Sequence, residues 1–371
     1  MRQVIVISSI LKPVTDVRSY YRLARSIANN QAYEVHISGS HGLIENTPDR
    51  ITFHPLSSYS RGLFKRLLNQ IKTFRLFRSI KPDLIIITAV ELIPVAIIYK
   101  LLFSTKLVYD IQENYERNII YQSVYPFYTR KALANLTRWL QTLTRRFFAL
   151  YLLAEKCYEN ELEFIGKKYI ILENKVPETN TDLERQNTKQ NESITFLFSG
   201  TLAPETGVDQ AVQLFQKIKV HFQFCQLKIV GFAANESYRG TLFELARAES
   251  DIVLLTGDQP LAYAEVLQEI RKAHIGIIAY PITPANEKKV PTKLYEYAHF
   301  QIPFIVADGS HWHQTGQFLG QPIPVQFERI SPFDLAAKIK KVMESAKQSD
   351  TSNSGWQLEK EQLLSSIDQI L

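Results

Sequence analysis

Short apolar runs alternate with amphipathic stretches along the whole chain. In the first half, runs at 4–7, 34–38, 84–88, 106–109 and 169–172 have strand length and are rich in Ile, Val, Leu and Tyr. Such runs predict strands, several of them buried on both faces. Between them the apolar spacing changes to three and four. Residues 17–29 put Tyr20, Leu23, Ala24 and Ile27 on one helical face. Helices are also expected at 62–79 and 94–103, with two further helical stretches between 126 and 153. Repeated strand–helix units predict a parallel sheet with helices on both faces.

Residues 177–193 are polar and carry no apolar period. The pattern then restarts, with strands expected at 194–199, 226–230, 252–255 and 275–279 and helices at 208–220, 237–249, 261–273 and 332–345. After a Ser/Asp-rich break at 348–355, a final helix over 356–371 offers Leu363, Leu364, Ile367 and Leu371 for packing back on the first half. A chain of 371 residues exceeds the ~250–300 that one core serves. The expected fold is therefore α/β, with two doubly wound Rossmann-like domains facing across a cleft. The domains are placed at 1–176 and 194–350, joined by a linker at 177–193. Ligands in such folds bind at the C-terminal ends of the strands.

Composition adds little beyond a globular class, but charge does. Residues 1–176 hold 25 Lys and Arg against 14 Asp and Glu, while the whole chain is only +6. The first half is basic and the rest mildly acidic, so the first half is expected to meet something anionic. Two basic stretches with Phe, Leu and Trp, at 61–78 and 130–148, suit an anionic membrane surface. They equally suit a core face with a solvated basic side. No nucleic-acid module accompanies the charge, so nucleic acid is not expected as a partner. The apolar window 84–103 is interrupted by Glu91, Pro94 and Lys100 and reads as strand, loop and helix rather than a span. No cationic leader precedes residues 4–7, and Cys157 and Cys225 form neither a disulfide framework nor a metal motif. A cytoplasmic protein, peripheral on the inner face of the membrane, is the expectation.

The candidate chemistry lies in Pro291-Thr292-Lys293-Leu294-Tyr295-Glu296, a short helix leading to a strand near 303–306. Lys288, Lys289 and Lys293 crowd an end that already carries about +0.5 of a charge from peptide dipoles. Such crowding predicts an anion there. Glu296 follows Lys293 at i+3 on the same face. A cation beside a carboxylate suits a phosphate joined to a polyol, as in a nucleotide sugar. A solvated charged turn is the bland alternative. Ser199-Gly200-Thr201 ends a strand and precedes a helix, where glycine allows close approach to a diphosphate.

Together these motifs resemble the GT-B glycosyltransferases of the large retaining family 4. Residues 17–24 resemble the first βα unit, 90–94 and 109–115 the acceptor-side loops, 198–209 the loop opening the donor domain, and 291–306 the donor signature. The resemblance implies a retaining transferase using a nucleotide-sugar donor and a saccharide or lipid-linked acceptor, in cell-surface polysaccharide or glycolipid synthesis, with no metal or other cofactor. It assigns the donor to Gly200, Thr201, Leu202, Asp258, Glu287, Thr292, Lys293, Leu294 and Glu296. Glu296 is expected to accept from ribose hydroxyls, and Thr201 and Thr206 to add hydroxyl donors. Asp16, Arg18, Glu91, Gln112 and Glu113 are assigned to the acceptor side, with Lys293, Gln112 and Glu113 the catalytic candidates. Departures are visible. Thr201 and Thr206 stand where the family carries two cations, Gln112 where it has histidine, and Gln301 where it has glycine. Glu287 and Glu296 are separated by eight residues rather than seven. These replacements keep two other readings open: a catalytically silent scaffold in polysaccharide assembly, and an epimerase-like nucleotide-sugar enzyme.

Overall fold

The computed structural model describes residues 2–44, 48–57, 63–121, 126–178, 193–344 and 351–371. They form two compact units, one of Met1–Pro177 with Trp356–Leu371, the other of Glu178–Gly355. In the first unit, β1 (Gln3–Pro13) runs into a π-helical segment (Val17–Ala24) and α1 (Arg25–Ala28). Then come β2 (Tyr33–Ser40), β3 (Ile51–Ser57), α2 (Leu63–Ile80), β4 (Leu84–Ile87), α3 (Ile93–Phe103) and β5 (Lys106–Ile111). α4 (Tyr115–Tyr121), α5 (Phe127–Thr144), β6 (Leu150–Leu153), α6 (Tyr158–Glu161) and β7 (Tyr169–Ile171) complete it. The sheet is parallel, in the order β3-β2-β1-β4-β5-β6-β7.

Alternation along the strands builds two cores. Ile5, Ile7, Val35, Ile37, Leu84 and Ile86 face one side, and Val6, Ile85, Ile87, Leu107 and Tyr109 the other. Both faces are dry, which is why the strands read as continuous apolar runs.

The second unit repeats the scheme. It contains β8 (Ile194–Thr201), α7 (Val208–Ile218), β9 (Cys225–Phe232), α8 (Glu236–Ala248), β10 (Ile252–Leu255), α9 (Tyr263–Lys272) and β11 (Ile275–Ile277). α10 (Thr292–His299), β12 (Phe304–Ala307), α11 (His311–Leu319), β13 (Pro322–Val325) and α12 (Pro332–Glu344) follow. Its parallel order is β10-β9-β8-β11-β12-β13. α13 (Gln357–Ile370) belongs to the first unit, where Trp356, Leu363 and Ile367 join the core beside β1 and β2.

Several expectations need correction. The 17–29 stretch is not one α-helix but begins as a π-helix. The 150–153 run, expected as helix, is β6, a strand paired with β5 and β7. β3, α4, α11 and β13 were not anticipated. In the C-terminal half of α2 Phe77 is buried and Phe74 packs with it against Tyr99, while Leu68 and Ile71 are exposed. The start of that basic stretch, 61–62, lies outside the described residues. Among the described residues no helix is long and apolar enough to cross a membrane.

Candidate functional site

In the second unit, chemistry collects at the C-terminal end of β8, beside the point where strand order reverses towards β11. Gly200 has φ +129°. It pairs in register with Gly231 of β9, and a Cβ on Gly231 would fall 1.7 Å from the Gly200 carbonyl oxygen. The two glycines let the β8 terminus lie against β9. On the other side, Lys293 covers Gly200: its Cε would be 3.1 Å from a Cβ placed there.

α10 aims that lysine. Leu294, Tyr295, Tyr297 and Ala298 are buried, and the Tyr297 hydroxyl lies 3.2 Å from both the Ser199 hydroxyl and the Leu197 carbonyl. With the apolar face fixed, Lys293 and Glu296 share the remaining one. Lys293 Nζ donates to Glu296 Oε2 at 2.6 Å, and the Tyr263 hydroxyl donates to Glu296 Oε1 at 3.1 Å. Glu296 is 1% exposed and Lys293 12%. Burial, with the Glu296 charge adding to it, pushes the Tyr280 hydroxyl up to about 12. No side chain caps α10 and its first turn holds no acid, so no carboxylate of that turn competes for its leading N–H groups. α10 ends at His299 with Phe300 as its C-cap, and Gln301 follows with φ +56°. The family's glycine at this position suits that left-handed turn.

The other donor candidates are placed less favourably. The Thr206 hydroxyl sits between the Thr201 and Ala203 carbonyls, at 2.7 and 2.8 Å. It is consumed within the loop rather than presented to a ligand. Leu202 and Leu294 lie in the core, and their N–H groups already donate to the Phe232 and Pro291 carbonyls. Asp258 is exposed and paired with Arg239 at 2.9 Å. Thr201 and Glu287 are exposed and Thr292 half-buried. Glu296, expected to await ribose hydroxyls, has both oxygens engaged.

In the first unit, the acceptor-side candidates separate into structural and exposed groups. Arg18 is buried and grips Asp110 through Nε (2.9 and 3.0 Å) and Nη2 (2.7 Å), with Nη1 on the Leu172 carbonyl. All of this ties the π-helical segment to β5 and β7, so Arg18 is a girder rather than a ligand group. Asp16 caps the same segment by accepting from the Arg18 and Ser19 N–H groups. Gln112 donates to Asp110 at 2.7 Å and accepts from Lys12, which fixes its amide. Glu113 is exposed and accepts from Asn118 at 2.7 Å. Glu91 lies in the 3₁₀ turn Val90–Leu92. Its charge adds to burial in raising the Tyr109 and Tyr115 hydroxyls.

Sequence reasoning missed Lys12, Tyr263, Tyr280 and Gly231. A glycine inside a strand is a signal of close backbone approach, and Gly231 gave it. The tyrosines carry no such mark.

No family model matches this chain, and no curated protein does. Solved structures do. Sucrose-phosphate synthase from Thermosynechococcus elongatus superposes with a TM-score of 0.68 at 13% identity, over 99% of each chain. Anabaena HepE in complex with UDP and glucose gives 0.63 at 12% identity, over 100% of each chain. A Listeria monocytogenes protein provisionally assigned as a UDP-N-acetylglucosamine 2-epimerase gives 0.60 at 13% identity, over 100% of this chain and 97% of that one. The chain has the GT-B fold. At these identities the likeness concerns the fold alone, and an epimerase assignment shares it.

Proposed function

We propose that this protein is a retaining glycosyltransferase that binds a nucleotide sugar on its second unit and assigns the first to a saccharide or lipid-linked acceptor. The observation that carries the reading is the Lys293–Glu296 pair over Gly200, at the open N-terminus of α10. A diphosphate entering over Gly200 meets the Lys293 ammonium and the N–H groups of Thr292 and Lys293 at the start of α10. Lys293 then exchanges the Glu296 carboxylate for phosphate, and Glu296, still held by Tyr263, accepts from ribose hydroxyls. The binding charge comes from these groups, and the reading requires no metal.

Gln112 cannot exchange a proton near neutrality. In transfer with retention, the anomeric carbon–phosphate oxygen bond breaks and the bond to the acceptor oxygen forms on the same face. The acceptor proton passes to the departing phosphate. Lys293 stabilises the charge on that leaving group.

A thermal-shift comparison of UDP, GDP and their sugars tests this. Stabilisation by one nucleotide, growing with its concentration, is expected. A folded protein indifferent to all of them would contradict the reading. The scaffold alternative is favoured by one observation, the Thr206 hydroxyl turned inward where a cation belongs in the resembled family. Slow hydrolysis of the bound donor separates the two, since a scaffold shows none.

A further inference from the structure

Of the two basic amphipathic stretches in the sequence, the one in α5 exposes a continuous row of apolar side chains among the described residues. α5 buries Ala134, Gln141 and Thr144. On the opposite side, Tyr128, Ala132, Leu136, Trp139 and Leu143 recur at helical spacing. Tyr128 is 84% exposed, Leu136 59%, Trp139 60% and Leu143 56%, with Phe127 beside them at 84%. From Tyr128 to Leu143 of this 18-residue helix the stripe extends about 22 Å. Single exposed apolar residues are unremarkable, but a continuous stripe of this kind marks an interaction surface.

Charge decides what covers it. Between Glu116 and Glu155 there is no acidic residue, while Arg117, Arg130, Lys131, Arg138, Arg145 and Arg146 fall in that interval; of these, Arg138 is paired with Glu116 and Glu163, each at 3.6 Å, and Arg117 with Glu161. Lys131, Arg145 and Arg146 are exposed. A second copy docking by a two-fold axis would set these cations against themselves. Trp and Tyr on the apolar face, with Lys and Arg at its margins, fit the headgroup level of a bilayer rich in anionic lipid. We propose that the outer face of α5 docks flat on an anionic phospholipid surface, with Trp139 at the centre of the inserted stripe. The proposal is independent of the transferase reading, because lipid and nucleotide binding are measured separately.

The protein carries its own reporter. Of three tryptophans, Trp312 and Trp356 are buried and Trp139 is exposed. Vesicles of phosphatidylcholine with phosphatidylglycerol should sediment the protein and shift its tryptophan emission to the blue. Phosphatidylcholine alone should do neither, and added salt should reverse both. Trp139→Phe should abolish the emission shift and keep sedimentation. Leu136→Asp/Leu143→Asp should weaken vesicle binding at least about tenfold with an unchanged melting curve, both sites being exposed. Failure to sediment with anionic vesicles would overturn the proposal. So would sedimentation without an emission shift, which assigns docking to another face. A dimer in solution that Leu136→Asp/Leu143→Asp dissociates would also overturn it, by making a second copy the occupant.

Discussion

At the scale of single residues, Gly231 and Gln301 make opposite demands on the backbone. A Cβ on Gly231 would overlap the Gly200 carbonyl, so Gly231→Ala must push β8 and β9 apart. We expect a loss of about 3 kcal/mol in denaturant unfolding, together with impaired nucleotide binding. Gln301 is held left-handed, which costs a side-chain residue about 1–2 kcal/mol, offset by about 0.5–1 of extra chain entropy for glycine. Gln301→Gly should therefore stabilise by about 0.5 kcal/mol in the same measurement. The Lys293–Glu296 pair is nearly dry, so Lys293→Met strands a buried carboxylate. A loss of about 3 kcal/mol is expected, and most of it should return in Lys293→Met/Glu296→Gln. Additive losses would show that the two side chains do not depend on each other. The pairing itself was legible from spacing alone, since i+3 on a short helix brings an ammonium to a carboxylate. Its burial was not, because Tyr263 comes from α9, distant in sequence.

At the scale of elements, α13 shows how a segment after the second unit completes the first. The Trp356 indole N–H donates to the Ser26 hydroxyl at 3.0 Å, the Trp356 backbone N–H donates to the Val176 carbonyl, and Lys175 pairs with Glu359 at 2.7 Å. Trp356→Ala should cost about 3–5 kcal/mol in unfolding of the first unit. The apolar spacing of Leu363 and Ile367 made a packing face legible in advance. By contrast, β6 was misread because Leu150–Leu153 is too short to distinguish from a buried helix turn by period. β3 was missed because its Thr52, His54 and Pro55 dilute the apolar signal at a sheet edge. That edge carries a titration. His36 Nδ1 lies 2.9 Å from His54 Nε2, and burial lowers both, with Glu34 partly opposing it at His36. Burial lowers His299 as well. In each case the unfolded chain takes up protons first as pH falls below the ordinary 6.5. Stability from these groups is therefore complete above that value and is lost on acidification. The melting temperature should drop between about pH 7.5 and about pH 5.5, and His54→Gln should flatten the drop.

At the scale of the whole molecule, the basic stretch of sequence lies in the first of two parallel α/β units and the Lys293–Glu296 pair in the second. The repeated strand–helix order and the change at 177–193 made the fold legible, because parallel strands buried on both faces leave long apolar runs. The site was legible only as positions. Whether a candidate such as Leu202, Arg18 or Thr206 faces a ligand or the interior depends on which side of a strand or loop it occupies, and that is fixed by packing from remote elements. The central claim is that a nucleotide diphosphate binds over Gly200 beside Lys293. Isothermal titration of UDP and GDP into the intact protein and into Lys293→Met/Glu296→Gln, both verified as folded, tests it most directly. The intact protein should bind one nucleotide with a dissociation constant between about 1 µM and 1 mM, and the double variant at least about tenfold more weakly. No binding to the intact protein, or equal binding by both, would contradict the account.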